Sequence, residues 1–142
     1  MKITRRSAMA LGAGFAAASV LPALPLYAAV EDVDARIAEF TGGVAPGEGG
    51  ITLTTPEIAE NGNTVPVTVS APGAVSIMLL ATGNPNPDVG TFSFGPLAAS
   101  QTATTSIRLA STQDVVAIAK MADGSFVQAR NEVKVTIGGC GG

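Results

Sequence analysis

The sequence predicts an all-β fold, an immunoglobulin-like antiparallel β-sandwich of about seven strands with one N-terminal helix and a flexible C-terminal arm. Three observations predict it. From residue 50 onward come seven short runs rich in Val, Ile, Thr and Phe: 51–54, 64–69, 75–81, 91–94, 103–109, 115–121 and 126–137. Turn signals separate several of them, namely Asn61-Gly62, Ala71-Pro72-Gly73, Asn84-Pro85-Asn86-Pro87 and Asp123-Gly124. Two runs alternate in strict period two, as half-buried strands do: Ala103, Thr105, Ile107 and Leu109 share one face, and Val133, Val135 and Ile137 share another. The chain has one cysteine and no tryptophan, so it lacks the immunoglobulin disulfide and tryptophan, and the prediction concerns architecture only.

Residues 1–29 read as a twin-arginine export signal. Arg5-Arg6 precede the apolar, alanine-rich run from Ala8 to Val20, which is short for a bilayer span, and small residues at Ala28 and Ala29 suit cleavage. A periplasmic location follows, with no membrane association once the signal is removed. Removal of Lys2, Arg5 and Arg6 takes the basic count from 8 to 5 against 11 acidic residues, a net charge of −6. Such a surface repels nucleic-acid phosphates.

Residues 30–137 form the sandwich domain, entered through a helix at 30–41. Val30, Val33, Ile37 and Phe40 recur at three- and four-residue steps, Glu31, Asp32 and Asp34 are expected in the first turn, and Gly42-Gly43 end the helix. Ser76-Ile77-Met78-Leu79-Leu80-Ala81 is apolar on both faces. One face belongs to the core, and either the helix or a second protein covers the other.

Residues 138–142, Gly138-Gly139-Cys140-Gly141-Gly142, form the arm. Cys140 is the only cysteine, and the two glycines on each side, lacking a Cβ, leave its backbone free to move. In an exported chain a single thiol must stay free, pair with another chain or carry something. No basic residue neighbours it in sequence, so its activation is expected from partner sites. With no histidine and one cysteine, the chain cannot build a Cys/His metal site, a haem site or a Ser-His-Asp triad, and its carboxylates lack calcium-loop spacing. The reading is a protein that is not an enzyme and has no cofactor or resident metal.

Together these stretches resemble the SoxY family, the Y subunit of the SoxYZ carrier in bacterial thiosulfate oxidation. The terminal Val133-Lys134-Val135-Thr136-Ile137-Gly138-Gly139-Cys140-Gly141-Gly142 carries the resemblance most specifically. Support comes from the twin-arginine start, Thr55 to Gly62, Ala81 to Pro87, and Arg108 to Ala110 with Thr112 to Ala117. The resemblance implies a covalent sulfur carrier acting through Cys140. It also implies a heterodimer with a SoxZ-like subunit, and as partners a c-type cytochrome, a sulfate-releasing hydrolase and a sulfane dehydrogenase. Two other readings stay open at this point: a ubiquitin-like sulfur carrier acting through the Gly142 carboxylate, and a periplasmic binding sandwich without a carrier role.

Overall fold

The computed structural model of the chain describes residues 27–136. The export signal with Arg5 and Arg6, and the arm with Gly138, Gly139, Cys140, Gly141 and Gly142, lie outside the described residues. The described chain forms helix α1 (Tyr27–Thr41) and strands β1 (Gly47–Glu48), β2 (Thr52–Thr54), β3 (Ile58–Ala59), β4 (Val65–Ser70), β5 (Ala74–Ala81), β6 (Asp88–Ser93), β7 (Thr102–Ile107), β8 (Gln113–Met121) and β9 (Phe126–Val135).

The seven longer strands match the seven sequence runs, and their pairings with one another are all antiparallel. One sheet runs β1-β9-β8-β5-β6 with β3 also on β9, and the facing sheet runs β2-β4-β7. Strand β6 begins at Asp88, three residues before the expected start, because Ala81 N–H donates to Pro87 O at 2.8 Å and closes the preceding loop early. The two-residue strands β1 and β3, both parallel to β9, are additional to the expected antiparallel set. Strands of two residues have no alternation to read in sequence.

Period two determines the inner core. Val65, Val67 and Val69 of β4 face Ile77 and Leu79 of β5 and Val115 and Ala117 of β8, all of them buried. The other face of β5 and β8 is equally dry: Met78, Leu80, Val116 and Ile118 are buried with Phe126 beneath Val33, Ile37 and Phe40 of α1. Phe40 and Phe126 meet edge to face, with ring centroids 5.8 Å apart. The second apolar face of β5 is thus covered by the chain's own helix. Fully burying side chains of this size contributes about 2 kcal/mol each, so α1 is held by its stripe more than by intrinsic propensity.

The helix corrects one expectation. It begins at Tyr27, three residues before Val30, so Glu31, Asp32 and Asp34 fall beyond the first turn, which contains no acidic residue. Gly42 and Gly43 do end it, with Gly43 N–H donating to Ala38 O at 3.1 Å.

Candidate functional site

The site expected from the sequence, Gly138 to Gly142, follows shortly after β9, the last described strand. This strand is held on both edges. Strand β8 pairs along one of them, while β1 and β3 cover the two ends of the other. Between β1 and β3, Asn131 Nδ2 donates to Leu53 O at 2.8 Å and closes the gap. An otherwise open edge is thus tied at both ends and once between them. The last described residues are fixed as well: Lys134 N–H donates to Glu57 O at 2.9 Å, Val135 N–H to Thr112 Oγ1 at 3.0 Å and Thr136 N–H to Ala59 O at 3.1 Å. Alternation persists to this point, with Val133 buried and Lys134 exposed.

Beside this root two loops are joined by a polar network. Asn84 Nδ2 donates to Arg108 O at 2.7 Å, while Asn84 Oδ1 accepts from Ala110 N–H at 2.9 Å and from Gln113 Nε2 at 2.8 Å. Gln113 is buried, and its Oε1 accepts from Gly83 N–H at 2.8 Å. At Gly83 a Cβ would lie 2.9 Å from Gln113 Cβ, so the loop's close approach requires glycine. A half-buried amide with both ends satisfied is rigid, because moving it leaves several buried groups unpaired. The network shapes an open cavity of about 200 Å³ lined by Asn84, Pro85, Asn86, Arg108 and Ala110.

On the other side of the Pro85-Asn86 tip, a groove of about 380 Å³ separates the loop from α1. Arg36 spans it, with Nε 2.7 Å from Asp88 Oδ2 and Nη1 3.0 Å from Glu39 Oε2. The hydrogen bond to Asp88, followed by the charges of Asp88 and Glu39, raises the Arg36 pKa above its ordinary value, and its cation is neutralised in place. Among the described residues no group of three or more His, Cys, Asp or Glu could hold a metal. No described helix is long and apolar enough to cross a membrane.

None of the sequence-predicted site residues is among the described ones, so the structure supplies their setting. Sequence reasoning missed Asn84, Gln113, Arg108 and Thr112 as neighbours of the arm's root. The first lies in the Ala81–Pro87 stretch and the others within Arg108–Ala117 or beside it, yet nothing local announces that these stretches meet.

Comparison with known proteins identifies this arrangement. The family model described as "Sulfur oxidation protein SoxY" matches residues 37–140, the greater part of the chain. The chain belongs to the SoxY family. Its fold is similar to that of the sulfur carrier protein SoxY from Chlorobium limicola, at 34% identity over 75% of this chain and 94% of that one, with a TM-score of 0.67. A superoxide reductase (neelaredoxin) variant from Ignicoccus hospitalis is 26% identical over 60% of this chain and 78% of that one, with a TM-score of 0.54. That likeness is one of fold. No curated protein matches the chain. SoxY membership makes the chain a sulfur carrier of sulfur oxidation.

Proposed function

We propose that this SoxY-family chain carries its cargo covalently on Cys140, in the periplasm after export by its twin-arginine signal, and that it performs no catalysis itself. The observation that carries the proposal is the position of the lone cysteine. Cys140 follows the last described residue, Thr136, by four positions, sits within Gly138-Gly139-Cys140-Gly141-Gly142, and is the final residue of the family match.

The chemistry suits a thiol with no neighbouring acid or base in sequence. Joining the Cys140 thiol to thiosulfate forms one S–S bond and releases a proton and two electrons, which the c-type cytochrome accepts. Water then splits the sulfane–sulfonate bond at the hydrolase, sulfate leaves, and a persulfide stays on Cys140 for the sulfane dehydrogenase. Each partner supplies the activation that the carrier lacks. A SoxZ-like subunit pairs with the sandwich.

Intact-mass analysis tests this reading. The chain isolated from a thiosulfate-oxidising periplasm should carry sulfur adducts on Cys140, and Cys140→Ser should abolish thiosulfate-dependent electron transfer while stability stays within about 0.5 kcal/mol. An unmodified Cys140 together with a modified Gly142 carboxylate would replace it with the thiocarboxylate reading.

A further inference from the structure

We propose that the cavity lined by Asn84, Pro85, Asn86, Arg108 and Ala110 is the resting place of the chain's own C-terminal segment when Cys140 bears a sulfonate-ended adduct, with the Arg108 guanidinium as its anion partner. This rests on the covalent reading of Cys140. Three observations lead to it: where the described chain stops, how much chain follows, and which cation is left over.

The described chain stops at the right end of the sandwich. Thr112 Oγ1 accepts from Val135 N–H at 3.0 Å, and Gln113 Nε2 donates both to Ser111 O at 3.0 Å and to Asn84 Oδ1 at 2.8 Å. A continuous set of contacts therefore runs from the end of β9 to the cavity wall. Strand β8 alone separates β9 from β5, whose C-terminal end leads into Asn84. Two strand spacings put the cavity roughly 10 Å from the root. Cys140 lies four positions beyond Thr136, and four extended steps span about 13 Å. The segment reaches the cavity without disturbing β9.

Charge selects the anchor. The described residues include five basic side chains, Arg36, Arg108, Lys120, Arg130 and Lys134. Arg36 is bound by Asp88 and Glu39, and Arg130 by Asp114. Lys134 shares its depression with Glu57 and Glu132. Lys120 pairs with Phe126 at the opposite end of the sandwich. Arg108 remains: it is exposed, has no ionic partner among the described residues, and no carboxylate lines its cavity. Its backbone carbonyl is fixed by Asn84 while its guanidinium stays available. Apolar Pro85 and Ala110 beside a planar cation suit a divalent-sulfur stem that ends in a sulfonate.

The test loads the full chain with tetrathionate. The Cys140 thiolate attacks one sulfane sulfur, the central S–S bond breaks, thiosulfate leaves with the electron pair, and Cys140–S–S–SO₃⁻ remains. Intact mass reports this step independently of docking. Absence of any adduct overturns the covalent reading and the cavity with it. In the loaded chain the backbone amide resonances of Asn84, Asn86, Arg108 and Ala110 should shift, and neutral carbamidomethylation of Cys140 should leave them in place. A small neutral thiol should strip the adduct about two- to fivefold faster from Arg108→Gln than from the unsubstituted chain, the range expected for one exposed ion pair. The difference should shrink at high salt. Equal stripping rates, or unmoved resonances in a chain whose mass shows the adduct, would overturn the cavity assignment and leave the carrier reading standing.

Discussion

The two ends of the sandwich are closed by different means. At the end opposite the arm, local turns stand beside a few distant ties, Ala71 N–H to Gln101 O at 3.0 Å, Gly73 N–H to Gln101 Oε1 at 3.2 Å and Ala122 N–H to Gly73 O at 3.0 Å. Ala74 N–H donates to Ala71 O at 3.0 Å, Gly124 N–H to Met121 O at 3.0 Å, and Asp123 Oδ1 accepts from Ser125 N–H at 2.9 Å and Ser125 Oγ at 2.6 Å. At the arm end the closing bonds join residues far apart in sequence: Asn84 with Arg108, Ala110 and Gln113, Thr112 with Val135, and Leu109 with Gly62. The distant ties at the first end are spread over backbone groups and the Gln101 amide, whereas at the arm end the single Asn84 side chain gathers three partners. The arm end is correspondingly sensitive to loss of a single side chain.

The largest effect should follow from Asn84→Ala. It removes a partner from Arg108 O, Ala110 N–H and the buried Gln113 amide together, and urea unfolding should show a loss of about 2–4 kcal/mol. Gly124→Ala at the opposite end should lose less, about 1 kcal/mol, the strain of a Cβ at φ +87°. If Gly124→Ala proved the costlier of the two, the contrast between the ends would fail. The smallest effect concerns pH. The hydroxyl and then the amide of Ser125 hold the Asp123 carboxyl below its ordinary 3.8. A lowered pKa in the folded state contributes stability above the unfolded value, which is lost as the pH falls through the folded one. Ser125→Ala should therefore be slightly less stable at neutral pH and show a flatter fall below about pH 4, so that thermal melts of the two proteins converge in acid.

The same contrast explains what the sequence could tell. Asp123-Gly124 and Ala71-Pro72-Gly73 announce turns because the backbone requirement is met within the turn itself. The alternation in β7 and at the end of β9 is legible because burial follows every second residue. Both faces of β5 read as apolar, but only the fold shows that α1 covers the second. Strands β1 and β3 were invisible, since two residues carry no period and their partner lies far along the chain. Arg108 reads in sequence as the polar neighbour of Ile107 and Leu109, and its cavity exists only once Asn84 has folded against it.

The clasping of β9 on both edges has a mechanical consequence. Any enzyme that grips the sulfur and draws on the chain beyond Thr136 applies its load along the strand axis, parallel to the ladders of β8, β1 and β3. The backbone bonds of those ladders lie across that axis, so they share the load in shear and do not open one after another from a frayed tip. On the carrier reading proposed for this chain, a tail anchored in this way could be tugged in successive dockings while the body behind it keeps its shape.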